Sequence, residues 1–418
     1  MRRVFVFLHR YFGLAMALFL VIEGLTGSLL AFNSDLTILF DPRLAAQKPS
    51  PDAKPLDPAT LAERAAEAMP EAVIGYFHPN HRDDQVILAM SWKDGKTPHA
   101  GEPDNLVLDP WTGKELGRIP YHGYTDDFPR DIMPFIYSLH VNLSLGGWGG
   151  WILSLVAILW TIDCFVGFYL TLPIKLEKFW PRWKPAWLVK WRAGAFRLNF
   201  DLHRASGLWL WAMLFIFAWS SVNLADVFGV YRFVTAALFD SDPMEVVARL
   251  YPPHPDSGPP RLDTHAAQAV GERLAAEIAA REGFKILRPI SLQYIGYADR
   301  YNYAALTDRA FPADQRLTVF LDSNTGEFAG VFQTSAPHMG ETITNWLEAL
   351  HMIRDPVDYL AYRIFVAAIG LVIVMLSVTG VYIWWKKRAA RTHQLSRAPA
   401  RGVLEGRSDA SALPQGEA

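Results

Sequence analysis

The chain has 418 residues, 51% of them hydrophobic, and a formal net charge of −2. Its 40 basic and 42 acidic residues leave no field for nucleic acid, because Lys and Arg bunch only beside apolar runs. A single cysteine, Cys164, excludes a disulfide framework, CxxCH haem attachment and Cys-ligated clusters, and no GxGxxG or Walker A pattern offers a nucleotide site.

Four apolar runs are each near the roughly 20 residues that cross a bilayer. They are Val4–Phe32, Trp151–Leu172, Leu208–Leu224 and Ile364–Trp385. The first is longer than the roughly 7–15 residues of a signal h-region, and no small-x-small cleavage site follows, so it reads as an uncleaved anchor. Pro173–Asn199 carries Lys175, Lys178, Arg182, Lys184, Lys190, Arg192 and Arg197 against one acid, Glu177. With Arg2 and Arg3 at one end and Lys386, Lys387, Arg388 and Arg391 at the other, the positive-inside rule makes these segments cytoplasmic. Both long polar stretches are then periplasmic in a Gram-negative inner membrane.

The expected layout is a first span at 1–34, a periplasmic α+β domain at 35–134 and a second span with a periplasmic extension at 135–173. A cytoplasmic loop at 174–198 and a third span at 199–235 follow, then a second α+β domain at 236–343. A fourth span with its extension covers 344–387, and 388–418 is a disordered cytoplasmic tail, polar and Pro/Gly-rich from Ser396. The fold class is an α-helical membrane protein, a four-helix bundle carrying two α+β domains.

The chain repeats itself. "HRYFGL" with His9 and Arg10 returns 194 positions later as "HRASGL" with His203 and Arg204. After each copy come a span and a helical stretch, "LDPATLAERAAEAM" from Leu56 and "LDTHAAQAVGERLAAEIAARE" from Leu262. Alternating strand runs follow, "DQVILAMSW" and "RYNYAALTD", and then Asp/Thr-Gly hairpin signals in "LVLDPWTGKELG" and "VFLDSNTGEFAG". Leu-His comes next in both halves, with His140 in "IYSLHVNLSL" and His351 in "LEALHMIRD". The halves have the same membrane orientation, so a pseudo-two-fold axis along the membrane normal is expected. It pairs His9 with His203 at the cytoplasmic end and His140 with His351 at the periplasmic end.

Interfacial histidines commonly anchor a span, but anchoring does not require one residue type at one register twice. Facing imidazoles from two helices are the usual axial pair of haem iron. Gly13 and Gly207 each lie four residues after a histidine, on the same helix face, where a missing Cβ lets a flat porphyrin approach. Arg10 and Arg204 suit haem propionates, and serve equally as positive-inside residues. From His351 to Trp385 is 34 residues, about 51 Å of helix, so His351 and His140 are expected on helical extensions beyond the bilayer. Pro356 and the glycines of "SLGGWGGW" are points where those extensions can break. Glu23, Asp163 and Arg363 are open between a structural ion pair, a cofactor bond and proton transfer. His122 and His338 read as loop residues near the outer site, and His78 and His81 as a turn without further ligands. Cys164 reads as a small buried hydrophobe.

With HRxxGL, the Thr-Gly turns, the paired Leu-His and this hydropathy, the chain resembles the PepSY-associated transmembrane family from Arg3 to Arg391. The resemblance implies two non-covalent b-type haems in a four-helix bundle, capped by PepSY-like periplasmic domains. It also implies an iron-regulated inner-membrane oxidoreductase of the ferric-siderophore reductase type, with His9, His140, His203 and His351 as axial ligands. The expected partners are a ferric siderophore or other Fe(III) chelate, the lipid bilayer, and an electron donor, either quinol or a flavoprotein. Two alternatives stand beside it: a haem-containing carrier delivering electrons to a periplasmic protein, and a haem-free regulatory PepSY protein.

Overall fold

A computed structural model describes residues 1–77, 84–92, 104–120, 127–239, 243–253, 259–309, 315–332, 339–352 and 360–408. His78, His81, His122, His338 and Pro356 lie outside the described residues. The chain divides into two compact units. One comprises Met1–Val21, Leu159–Leu214 and the chain from Val372; the other comprises Ile22–Ile158 and Phe215–Leu371.

The first half runs α1 (Arg2–Leu30), α2 (Asn33–Phe40), α3 (Pro58–Ala68), β1 (Ala72–Phe77), β2 (Val86–Trp92), β3 (Asn105–Leu108), β4 (Glu115–Ile119), α4 (Ile132–Asn142) and α5 (Gly147–Thr171). After a short α6 (Phe179–Trp183) come α7 (Ala195–Trp209), α8 (Trp211–Leu224), α9 (Val230–Phe239), α10 (Pro243–Leu250) and α11 (Thr264–Glu282). Strands β5 (Ile286–Ile295), β6 (Arg300–Thr307), β7 (Arg316–Asp322) and β8 (Phe328–Phe332) lead to α12 (Met339–Met352) and α13 (Leu360–Ser408).

Among the described residues three helices are long and apolar enough to cross a membrane: α1, α5 and the Leu360–Thr392 part of α13. Taken together, α7 and α8, which meet at a 71° bend, pass the same test as a fourth candidate span, broken or re-entrant. The bend falls at Leu210, one turn after Ser206, whose hydroxyl bonds the Leu202 carbonyl in the i−4 manner that bends helices. α13 continues as helix to Ser408, past the point at which the sequence reading has a disordered tail.

Both sheets are antiparallel and four-stranded, in the orders β1-β2-β3-β4 and β5-β6-β7-β8. Each follows a helix with an Asp cap. The Asp57 carboxylate accepts from Thr60 N with Pro58 in the first turn, and Asp263 accepts from Ala266 N. Gly283 closes α11 at φ 77°. On the second sheet Tyr301, Tyr303, Leu317, Val319 and Leu321 pack beneath Ala267, Leu274, Ala275 and Ile278 of α11. The opposite face carries Phe320, covered with Leu250, Ile295 and Ala298. With both faces covered, β6 and β7 are buried along nearly their whole length rather than at alternate residues. The first sheet buries Phe77, Leu88, Met90, Leu106 and Leu108 under Leu61 and Ala65 of α3.

The Thr-Gly signals form hairpin turns. Asp109 Oδ1 accepts from Trp111 N (2.7 Å) and Thr112 N (3.2 Å), and Asp322 Oδ1 from Asn324 N (2.9 Å) and Thr325 N (2.8 Å). Gly113 and Gly326 then take φ of 68° and 74°, the left-handed region in which a Cβ is strained. The two sheet domains also meet: Gln268 Oε1 accepts from Ala59 N at 2.8 Å, and Gln293 Nε2 bonds the Gly75 carbonyl.

The connection between sheet and span differs from the expected continuous helix. α4 ends at Leu143 (φ 55°) and Ser144 (φ 53°), and α5 starts anew at Gly147. A Cβ at Gly149 would run into the Asn142 carbonyl, so the glycine-rich stretch permits a close reversal. His140 therefore stands on a separate short helix rather than on an overhanging span. His351 stands near the end of α12, and the residues that join α12 to α13 lie outside the described residues.

Candidate functional site

The four repeated histidines come together as two pairs. In the first unit His9 of α1 faces His203 of α7, with ring centroids 6.0 Å apart and ring planes at 56°. In the second unit His140 of α4 faces His351 of α12 at 6.3 Å and 58°.

Hydrogen bonding fixes the tautomer of each ring. His9 Nδ1 lies 2.9 and 3.0 Å from the two carboxylate oxygens of Asp163. His203 Nδ1 lies 3.0 Å from the Leu376 carbonyl, which only accepts, and 3.1 Å from Thr379 Oγ1. His140 Nδ1 lies 3.0 Å from Thr26 Oγ1, whose own proton goes to the Ile22 carbonyl at 2.7 Å. His351 Nδ1 lies 2.7 Å from Ser220 Oγ, whose proton goes to the Phe217 carbonyl at 3.0 Å. Every Nδ1 is thus a donor, and in the neutral ring it is Nε2 that carries the lone pair. Among the described residues no Nε2 of the four has a hydrogen-bond partner.

The pair on α4 and α12 lies outside the apolar spans. Burial pulls His140 down to about 4 and His351 to about 3, so both imidazoles are neutral. Glu23 Oε2 also comes within 3.1 Å of His140 Nδ1, but beside a neutral ring this close approach is no ion pair. The other oxygen, Glu23 Oε1, is buried without a hydrogen-bond partner.

Glycines flank three of the rings. A Cβ at Gly27 would lie 3.0 Å from His140 Cε1, at Gly167 3.5 Å from His9 Cε1 and at Gly380 3.2 Å from His203 Cε1. The sequence reading selected Gly13 and Gly207 instead. A Cβ at Gly13 meets nothing within 4 Å, and one at Gly207 meets only Leu376 Cδ2, at 3.7 Å. Gly167 lies four residues after Asp163 and Gly27 four after Glu23, a pairing of acid and glycine on one helix face that could have found them.

The remaining candidates divide. Arg10 makes no hydrogen bond or ion pair with a described residue. Arg204 is engaged by the Pro185 carbonyl (2.5 Å) and Asp201 Oδ1 (2.9 Å), with its Nε buried and unpaired. Arg363, 4% exposed, donates from Nε to the Ala31 carbonyl at 2.8 Å, pairs with Asp35 and covers the Phe32 ring. Cys164 is half-buried, with its carbonyl accepting from Trp211 Nε1.

These features define an integral membrane protein with up to four spans, two α+β domains and two paired-histidine sites. The chain belongs to the family described as the PepSY-associated TM region, which it matches over residues 6–387. No curated protein matches it.

Proposed function

We propose that the chain is a di-haem b electron-transfer protein of the bacterial inner membrane, an oxidoreductase that reduces a ferric siderophore or similar Fe(III) chelate in the periplasm. The observation that carries this reading is the pairing of imidazoles with free Nε2 atoms at 6.0 and 6.3 Å. Two imidazoles on opposite sides of one metal, at about 2 Å per bond, put their ring centroids about 6 Å apart.

The donor set favours haem over a bare ion. No group of three or more His, Cys, Asp or Glu among the described residues is arranged to hold a metal, so each site offers two ligands. A zinc site needs three or four from the protein. A porphyrin brings its own four, and the open space at Gly13 suits a flat macrocycle. His9 and His203 would hold one haem, and His140 and His351 the other. When bound, haem supplies a one-electron couple at each pair.

The chain's own residues do the rest. Asp163, Leu376, Thr26 and Ser220 hold each Nδ1 as a donor, so that Nε2 is the ligating atom. His140 and His351 belong to the same compact unit as both sheets, which suits delivery of an electron to a soluble acceptor. Lys and Arg beside the spans put the termini in the cytoplasm and the sheets in the periplasm. The two same-orientation halves form a four-helix bundle, and the donor is a membrane quinol or a flavoprotein. Oxygen-donor chelators hold Fe(II) far less tightly than Fe(III), so one electron releases the iron.

The test is a dithionite-reduced minus oxidised visible spectrum of the detergent-purified chain beside His9→Ala and His351→Ala. Sharp b-type bands, with about half the haem lost in each variant, support the reading, and ferric-chelate reduction is then assayed directly. A flat spectrum from protein made with ample haem overturns it.

A further inference from the structure

The duplication is preserved in the histidines and broken in what holds them. At a spacing of 194 residues, Thr26 matches Ser220, and these two hydroxyls accept from His140 and His351. The same spacing sets Glu23 against Phe217: Glu23 Oε2 comes within 3.1 Å of His140 Nδ1, whereas Phe217 meets His351 ring to ring at 5.3 Å. In the other pair, Gly167 and Gly380 mark equivalent places against His9 and His203. Four residues before each glycine stands the Nδ1 acceptor. For His9 it is the Asp163 carboxylate; for His203 it is the Leu376 main-chain carbonyl. Each pair thus joins one histidine with an acidic side chain beside its Nδ1, bonded in the case of Asp163 and in close approach in the case of Glu23, to one histidine with neutral acceptors from the second half.

The two carboxylates are not equally engaged. Asp163, 8% exposed, brings both oxygens to His9 Nδ1, with no competing acceptor. Glu23 brings one oxygen and shares His140 Nδ1 with Thr26. A carboxylate accepting from Nδ1 pushes electron density onto the imidazole and raises its basicity as a ligand. A more basic ligand stabilises the oxidised, more positive form of the group it holds.

Resting on the haem reading above, we propose that Asp163 is a positioning residue that sets the reduction potential of the His9–His203 site below that of the His140–His351 site. The duplicated chain is in this way given a direction, with the more reducing centre at the end of α1 that carries His9. The net step is the movement of one electron from the His9–His203 site to the His140–His351 site, the first being oxidised and the second reduced, with no proton transferred.

Potentiometric titration of the visible spectrum of the full chain tests this. Two midpoints are expected in the wild type, and Asp163→Asn, whose amide oxygen still accepts from Nδ1, shifts the lower one positive while leaving the other and the haem content unmoved. Asp163→Glu restores the wild-type value. If Asn costs the site its haem, Asp163→Ser supplies a neutral hydroxyl of the kind that Ser220 gives His351, and is read in the same way. Full haem content with both midpoints unmoved overturns the role of Asp163 and leaves the haem reading intact. Absence of haem bands from the wild type overturns both.

Discussion

His140 Cε1 stands in the space that Gly27 leaves open: a Cβ at that glycine would lie 3.0 Å away, tighter than ordinary side-chain contact. The ring is also tied by Nδ1 to Thr26, so it cannot swing aside without losing that partner. Gly167 has the same relationship to His9 at 3.5 Å, an ordinary van der Waals distance. If the paired histidines hold haem as proposed, Gly27→Ala is therefore expected to lower haem content at the His140 site, and Gly167→Ala to leave both sites filled. Haem-to-protein ratios of the two purified variants decide it; equal retention refutes the steric argument.

Gly370 of α13 sits against α1, where an added Cβ would lie 2.6 Å from the Gly24 carbonyl and collide with Ser28. Ser28 Oγ also donates to the Ala367 carbonyl at 2.9 Å. Small residues at such a crossing let helix backbones approach where lipid supplies no hydrophobic drive. Gly370→Val is expected to cost about 1–3 kcal/mol by overpacking, read as a lower apparent melting temperature in detergent. A variant melting with the wild type would mean that the helices part at no cost.

The paired histidines were legible because a repeat removes the ambiguity of any single residue: His9 and His203 share HRxxGL, and His140 and His351 share Leu-His. Hairpin turns at Gly113 and Gly326 were legible for the same reason, with Asp, Thr and Gly at fixed offsets. What holds the rings was not. Asp163 and Glu23 have no counterpart in the second half, so no pattern tied them to a histidine. Leu376 acts through its carbonyl, which no side chain reveals. The break between α4 and α5 was hinted at by glycines, of which Gly146 is left-handed, yet the turn begins with left-handed Leu143 and Ser144, types that seldom mark one. Arg204 reads as a propionate partner until Asp201, three residues earlier on the same helix, is seen to hold it.

Arg363 resolves as a structural residue. Its donors go to the Ala31 carbonyl at the end of α1 and to Asp35, and its guanidinium covers Phe32. Arg363→Met keeps the stem and removes the charged donors. It is expected to destabilise the chain by about 1–3 kcal/mol with unchanged haem content. Asp35 is 41% exposed on its side chain, so Asp35→Asn should cost less. Loss of haem bands in Arg363→Met at full folding would instead give Arg363 a role at a cofactor.

The turn at Asp322 carries a pH signature. Burial alone would raise its carboxyl, but the amides of Thr325 and Asn324 and the Thr325 hydroxyl outweigh that and hold it below the ordinary value. A depressed carboxyl contributes stability that is full above the unfolded value of about 4 and is lost as pH falls through the lower folded one. Asp322→Asn should flatten the acid limb of the stability profile below about pH 4, measured by thermal unfolding across pH. An acid limb as steep as the wild type's would assign that sensitivity elsewhere.

The hydroxyls of Thr26 and Ser220 hold equivalent places, but their loss should not be equivalent. His140 Nδ1 bonds Thr26 Oγ1 at 3.0 Å and has Glu23 Oε2 close by, at 3.1 Å. His351 has Ser220 Oγ at 2.7 Å, with the apolar Phe217 ring beside it. Removing the Thr26 hydroxyl leaves Glu23 to hold the tautomer. Removing that of Ser220 leaves the His351 Nδ1 donor buried without an acceptor, and the proton is then better placed on Nε2, where it abolishes the ligating lone pair. Loss of an outer partner of a metal-ligating histidine costs roughly 10–100-fold in affinity. Ser220→Ala is expected to fall in that range for haem at the His140–His351 site, and Thr26→Ala well below it, in reconstitution of the purified apoprotein. Ser220→Thr, which returns the hydroxyl, should recover the wild-type affinity. If Thr26→Ala and Ser220→Ala lose haem equally, Glu23 is not a working acceptor, and the asymmetry at this pair is without consequence.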